Sequence, residues 1–551
     1  MRRWRSLSLG VVTVVASAVL GGLLGRSALA DEDKVAREYR VFTTALAAIE
    51  SQYVEPVDST RLVYGAIDGM LKTLDPHSSF MDPRTYAQLR ERQEGRYYGL
   101  GISIVVINGD ITVMQLFEGS PAYRNGIRRG DVIARISGED AQGWTSDRAV
   151  RALRGEKGTT VQISLRRTGY SGLIDLQVER DEVNITTVRG AFMVDDGTGY
   201  VKLTDFSETS NRELGEALEK LRALGMKRLV FDLRDNPGGS LDQSIRIANR
   251  FLPRGQMVVY TRGRVPNADQ DYRATEVSDY TDLPLVVLVN RNSASASEIV
   301  SGAIQDHDRG LIVGERTFGK ALVQSVYRIS GGAGLALTTG RYYTPSGRLI
   351  QRAWDGSFDE YFTYTLREQN SATGGRSAGD LKFTDGGRKV FGGGGIEPDE
   401  PVPGHVEGFN PARFGRTLYA RQLFEKYAER FTAEGDTRFA GEALDRRVVA
   451  RGFALTDAMV ADFQAFLKDE GVRVDETEFA ADRTFITAMM RFQIDLALFG
   501  MDEARHNLIG RDPQVQMALG LFDAAVRLSG PGAGTGAQPP IRQPNKPGGS
   551  R

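Results

Sequence analysis

The chain contains no cysteine, which rules out a thiol nucleophile and disulfide staples and leaves the redox compartment open. Histidine is scarce: His77, His307, His405 and His506 are the four. A histidine-based triad or a multi-histidine metal site therefore has little to draw on, and His307 reads as a capping or surface residue. Charge of neither sign predominates, since the formal net charge is −1, which gives no reason to expect a nucleic acid or a membrane-wide electrostatic partner. What is present is length and apolar content. With 551 residues, 41% of them hydrophobic, the chain can build several domains with sizeable cores.

The N-terminus carries an address. Arg2, Arg3 and Arg5 precede a mostly apolar run from Leu7 to Leu24, and Ala28-Leu29-Ala30 forms a small-residue cleavage pattern before Asp31-Glu32-Asp33. Residues 1–30 read as a signal peptide for export across a bacterial inner membrane, with the periplasm as destination. The run is nearly long enough to span a bilayer, so an uncleaved inner-membrane anchor is the alternative. Residues 31–94 follow a helical pattern, with Phe42, Leu46, Ile49 and then Leu62, Ile67, Leu71 and Leu74 at helix-like spacing. From residue 184 to 405 strands and helices alternate, among them Arg228 to Leu233, a helix from near Ser240, Met257 to Thr261 and Leu283 to Val289. Such alternation predicts a parallel sheet whose active site lies at the carboxyl ends of the strands. Arg264 to Tyr280 and Asn370 to Gly395 read as polar loops, the second closing on four glycines, Gly392 to Gly395. Residues 406–528 are again helical, an extension expected to pack mostly on its own chain. The Gly- and Pro-rich tail 529–551 is expected to be disordered.

The stretch from Asn290 to Gln324 holds the candidate chemistry. The run Ser293-Ala294-Ser295-Ala296-Ser297-Glu298 falls where a buried strand gives way to a helix, placing Ser295 or Ser297 beside unpaired backbone N–H groups at the positive end of the helix dipole. That position suits a nucleophile whose product is an oxyanion. It equally suits a helix cap, with Glu298 three residues past Ser295 as in a capping box. Further on, Gly314-Glu315-Arg316-Thr317-Phe318-Gly319-Lys320 matches seven positions of a phosphate-binding loop, but Ala321 cannot supply the hydroxyl a Mg²⁺ ion needs. The segment Leu322 to Ile329 also reads as a strand rather than the helix such a loop must open. Lys320 then sits among Phe318, Ala321, Leu322 and Val323. An apolar neighbourhood disfavours the ammonium form and prepares a lysine to take a proton.

These residues resemble a known family, the C-terminal processing peptidases or tail-specific proteases, which use a Ser-Lys dyad. The likeness rests on SASASE at 293–298, GERTFGKALVQ at 314–324 and DLRDNPGG at 232–239. It implies Ser295 as nucleophile, Lys320 as general base and Gln324 as the residue orienting it. An oxyanion hole would come from Gly238 or Gly239 together with Ala296. It also implies a crotonase/ClpP-like parallel-sheet α/β core carrying an inserted PDZ-like β-rich domain, an N-terminal helical segment that takes part in dimer contacts, and a resting state in which the dyad is often held apart. No metal or organic cofactor is implied.

The insertion, residues 95–183, resembles a PDZ domain through Gly99-Leu100-Gly101-Ile102, Gly119-Ser120-Pro121-Ala122 and Gly130-Asp131-Val132-Ile133. Such a module takes a peptide as an added strand, its Gly-rich loop holding a terminal carboxylate. Gly99, Leu100, Gly101 and Ile102 are the candidate peptide-binding residues, Ile104 a further strand residue, and Arg154 a charge able to face a carboxylate. The expected function is an exported serine endopeptidase that captures protein C-terminal tails and cuts through an acyl-enzyme. Its partners would be protein or peptide substrates, with an adaptor or self-association through the terminal helices. The alternative is a PDZ scaffold that binds tails without cutting them.

Overall fold

The computed structural model describes residues 35–117, 119–167, 170–354, 378–402, 413–432 and 449–529, with Tyr361 and Thr363 in addition. The leader at 1–30, the tail beyond Ser529 and residues 370–377 of the polar insertion lie outside the described residues. The chain forms two compact units: residues up to Pro83 with Val326–Leu337, and Arg84–Ser325 with Thr338 onward. Among the described residues no helix is long and apolar enough to cross a membrane.

In the first unit a helix over 35–52 precedes Ser59–Lys72, which opens on Asp58, whose carboxylate accepts the Thr60 and Arg61 N–H groups. The strand Ser79–Met81 pairs antiparallel with residues 334–336. Tyr39, Phe42 and Ile49 on the first helix stand exposed.

The second unit contains the PDZ-like insertion. Arg96–Gly99 pairs antiparallel with Asp181–Asn184, which brings the two ends of the insertion together. Between them a sheet runs in the order Ile102–Ile107, Asp110–Leu116, Val132–Ile136, Thr160–Arg166, Leu173–Glu179. Leu100, Ile111, Val113, Ile133 and Ile163 fill its core. Ile102–Ile107 is an edge strand, so its outer backbone groups are available for another strand.

The α/β core is a six-stranded sheet in the order Val188–Met193, Thr198–Leu203, Arg228–Asp232, Leu285–Val289, Leu311–Gly314, Glu400–Pro401. Its first pair is antiparallel and the rest are parallel. Side chains alternate between faces. Val201, Leu229, Phe231, Val287 and Ile312 point to the helices Ser210–Ala223, Leu241–Asn249 and Ala296–Asp306. Tyr200, Val230, Val286, Leu288 and Val313 point to the helices Pro513–Leu519 and Phe522–Ser529. Burial on both faces is why these strands read as unbroken apolar runs rather than alternating ones.

Two details depart from the sequence reading. Met257–Gly263 does not join the parallel sheet; it pairs antiparallel with Gln270–Arg273 and with residues 340–343. The polar stretch 264–280 is accordingly not a plain loop but carries that second strand, whose residues are mostly exposed and so lack an apolar signature. Helix and strand alternation gives the order of elements but not the sheet each strand joins. The C-terminal extension also divides. Helices Arg413–Ala420, Leu423–Thr432, Asp457–Asp469 and Arg483–Phe499 enclose a core of their own around Leu418, Phe424, Tyr427 and Phe463, whereas the last two helices complete the α/β core.

Candidate active site

The strand Leu285–Val289 ends at the carboxyl edge of the sheet, and the three serines that follow have different fates. Ser293 is fully buried, and its hydroxyl donates to Leu233 O at 2.8 Å. Ser297 is also fully buried and donates to Asn236 O at 2.9 Å. Ser295 alone is partly exposed, with φ 55° and ψ −112°, a conformation costly for any residue with a Cβ. Half of the capping box forms, Glu298 Oε2 accepting the Ser295 N–H at 2.8 Å, but the Glu298 N–H goes to the Ser295 carbonyl and the Ser295 hydroxyl makes no cap hydrogen bond. The choice the sequence leaves between Ser295 and Ser297 is thereby narrowed: one hydroxyl is consumed by the fold and the other is held out of it.

The turn Asn236-Pro237-Gly238-Gly239 packs directly on this serine. A Cβ built on Gly238 would lie 2.8 Å from Ala296 N and 2.8 Å from Ser295 Cβ, so no side chain fits there. Asn236 locks the turn: its carbonyl accepts Ala294 N–H at 3.0 Å and its Oδ1 accepts Gly238 N–H at 2.9 Å. Of the two glycines offered as oxyanion donors, Gly238 therefore already has an acceptor. Gly239 N–H and Ala296 N–H have none among the described residues.

Lys320 follows the irregular segment after Gly314 and precedes the strand Leu322–Arg328. The strand removes the helix a phosphate loop would require, in line with the sequence argument. Lys320 Nζ donates to Gln324 Oε1 at 2.8 Å. No hydrogen bond joins Lys320 Nζ to Ser295 Oγ among the described residues.

Two residues to which the motifs assign no part in the reaction tie the two segments together. Glu298 is fully buried, and its Oε2 accepts both Ser295 N–H at 2.8 Å and Lys320 N–H at 2.9 Å. Its Oε1 accepts Gly319 N–H at 2.7 Å and the Thr317 hydroxyl at 2.5 Å. Burial pushes this carboxyl up to about 7, against the pull of those donors. Tyr342, also buried, has its hydroxyl within hydrogen-bond reach of both Ser295 O and Lys320 O, and its single proton lies nearer the Lys320 carbonyl. The sequence marked Glu298 only as a cap partner, and nothing in its pattern marked Tyr342.

His307 does cap the helix Ala296–Asp306, but it is not a surface residue. Its side chain is 3% exposed, with Nδ1 on Asp385 Oδ2 and Nε2 on Met257 O, both at 2.7 Å. Burial lowers its proton affinity, while the hydrogen bonds to Asp385 and to the Met257 carbonyl outweigh that and raise the pKa overall.

At the PDZ-like module Leu100 is buried and Ile102 and Ile104 are half-buried on the edge strand. The loop between Gly99 and Ile102 is pinned by Phe117 N–H on Gly101 O and Ala122 N–H on Leu100 O. Arg154 faces a carboxylate of the chain itself, that of Glu91, and lies over the Tyr97 ring at 4.5 Å.

Residues 197–355 match the model of peptidase family S41, residues 88–166 that of the PDZ domain, and residues 25–85 that of the activating protease CtpB N-terminal domain. The chain is 37% identical over 326 residues to the carboxy-terminal-processing protease of Bartonella bacilliformis, covering 58% of this chain and 74% of that protein. It is 33% identical over 346 residues to the carboxy-terminal processing protease CtpA of Bacillus subtilis, covering 62% and 73% respectively. Among solved structures, a photosystem II D1 C-terminal processing protease is 29% identical over 65% of this chain and 86% of that one, with a TM-score of 0.33. The chain belongs to the carboxy-terminal processing proteases, serine peptidases of family S41 that carry a PDZ domain.

Proposed function

We propose that this protease is an exported endopeptidase that takes protein C-terminal tails on its PDZ domain and cuts by a Ser295–Lys320 dyad. The observation that carries the reading is the contrast among the three serines. Only Ser295 keeps its hydroxyl out of the fold, in a strained backbone whose N–H shares one Glu298 oxygen with Lys320. In the reaction, neutral Lys320 takes the Ser295 proton as Oγ attacks the scissile carbonyl, and the tetrahedral oxyanion lies on backbone N–H groups. The C–N bond then breaks, the proton passes from Lys320 to the leaving amine, and an acyl-Ser295 ester remains. Water, deprotonated by Lys320, hydrolyses that ester and restores the serine. Gln324 holds the Lys320 amine in place. Gly239 and Ala296 are the donors best suited to the oxyanion, Gly238 serving to bring the turn against Ser295. Because Ser295 and Lys320 are not hydrogen-bonded to each other, we read this as a resting arrangement that closes when a tail is bound.

The edge strand Ile102–Ile107 and the loop from Gly99 to Ile102 would hold the tail by strand addition. The leader at 1–30 supports a periplasmic site of action, with cleavage of the leader or retention as an anchor resolved by N-terminal sequencing of protein from fractionated cells.

The decisive experiment compares purified wild type, Ser295→Ala and Lys320→Ala on an unstructured protein with an apolar C-terminal tail. Each variant should lose on the order of a thousandfold or more in kcat. Undiminished cleavage by Ser295→Ala would overturn the dyad, and a wild type that binds the tail without ever cutting would favour the scaffold reading.

A further inference from the structure

The C-terminal extension reaches the root of the oxyanion turn. Asp232, the last residue of the strand Arg228–Asp232, is fully buried. Its Oδ1 accepts Arg234 N–H at 2.8 Å and Arg234 Nε at 3.0 Å, and its Oδ2 accepts Arg234 Nη2 and the Tyr200 hydroxyl, each at 2.6 Å. The Arg234 carbonyl accepts Lys202 Nζ at 3.0 Å. One guanidinium nitrogen is left over, and the extension takes it: Arg234 Nη1 meets Asp512 Oδ2 and Gln514 Oε1, both at 2.7 Å.

Asp512 is itself fixed. Its Oδ1 accepts Gln514 N–H at 2.9 Å as the N-cap of Pro513–Leu519, a helix that buries Val515 and Ala518 against the sheet. Gln514 is anchored at its other end, Nε2 donating to Val402 O at 3.0 Å. Arg234 thus lies between two carboxylates with its side chain 12% exposed, and with Lys202 the four charges of the cluster balance.

What this cluster holds is the chain entering the turn. Asp235 has φ 62°, a left-handed conformation unfavourable for a residue with a Cβ, and is gripped by Asn290 and Asn292. Asn236 and Gly238 follow at once. A strained turn keeps its shape only where the surroundings over-determine it, and Arg234 is the fixed point on its N-terminal side. The family model of the peptidase ends at residue 355, far before Asp512.

We propose that Asp512, with Gln514, is a positioning residue for proteolysis: it clamps Arg234 on Asp232 and so sets where the Gly238-Gly239 turn presents its N–H donor to the oxyanion. The inference rests on the proposed role of that turn. Misplacing an oxyanion donor without removing it should cost less than deleting one, so kcat should fall on the order of tenfold while the tail site is untouched.

The test uses the full chain. Asp512→Asn keeps the cap acceptor and the volume but removes the charge. The expected result is kcat down about tenfold on a tailed unstructured substrate, with KM, and the Kd of a fluorescent C-terminal peptide, within about twofold of wild type. Asp512→Asn with wild-type kcat while Ser295→Ala is inactive overturns this proposal and leaves the dyad standing; cleavage by Ser295→Ala instead removes the dyad. A kcat deficit that merely follows the fraction unfolded, read by circular dichroism at the assay temperature, overturns it as well. Should Asp512→Asn not fold, Gln514→Ala leaves the cap side chain in place and is expected to lower kcat about threefold at unchanged KM; an unchanged kcat in that variant counts against the clamp.

Discussion

Glu298 receives four donors on two oxygens: the backbone N–H of Ser295, of Lys320 and of Gly319, and the Thr317 hydroxyl. Only the carboxylate can accept from all of them; a protonated carboxyl must give up one acceptor site. Yet burial raises this group from its ordinary 4.5 to about 7, because removing the charge from water costs more than the donors return. The folded chain therefore holds the proton more tightly than the unfolded chain does. The stability this confers is complete below about pH 4.5 and is lost as pH climbs through about 7, a difference of about 3 kcal/mol. In a Ser295→Ala background, which prevents self-cleavage, Tm should fall between pH 5 and pH 8, and Glu298→Gln should flatten that part of the curve. A curve unchanged by Glu298→Gln would show that this carboxyl does not titrate there. At this scale the sequence offered Ser295, Lys320, Gln324 and the glycine turn as candidates, because each lies in a contiguous motif. It offered Glu298 as a cap alone and Tyr342 not at all, since a hydroxyl that joins the carbonyls of residues 295 and 320 is a tertiary relation with no local pattern.

Among elements, the edge strand of the PDZ domain and the loop before it are the parts proposed to capture a tail. Gly101 has φ 77°, and a Cβ there would lie 2.2 Å from Ser120 Cβ, a contact that backbone on either side must move to relieve. Ser120 cannot simply turn away, because it caps the short helix Pro121–Arg124 and bonds Gly101 O. Gly101→Ala should therefore distort the loop proposed to hold a tail's carboxylate, weakening binding of a labelled C-terminal peptide on the order of tenfold or more by fluorescence anisotropy. Cleavage of an unfolded substrate ending in an amidated, polar tail should change far less, and an equal loss on both substrates would argue against a dedicated tail site. The module was legible from its Gly-Leu-Gly-Ile loop and turn spacings. What Arg154 does was not: the partner it has here, Glu91, comes from the helix Pro83–Glu94 outside the insertion, and sequence spacing carries no record of that approach.

For the whole molecule, no pattern in the chain separates the last helices from the rest of the extension, since apolar stripes such as Met517, Leu521 and Ala525 mark a face to be buried without saying against what. The structure divides them by partner. Phe463 packs with Phe424 and Tyr427 inside the extension's own core, whereas Phe522, Val515 and Ala525 lie on the sheet strands that carry Val230, Val286 and Leu288. The two phenylalanines are both almost wholly buried, 0% and 3% exposed, so truncation of either should cost about 3 to 5 kcal/mol. The consequences should differ. Phe522→Ala opens one face of the sheet whose strand ends bear Asp232 and the Ser295 turn, and should lower the calorimetric transition of the peptidase core together with the temperature at which cleavage is lost. Phe463→Ala should lower a separate transition of the helical core and leave the temperature of inactivation nearly where it was. If both substitutions moved one common transition by the same amount, the extension would fold as a single unit with the peptidase and the division argued from these two cores would fall.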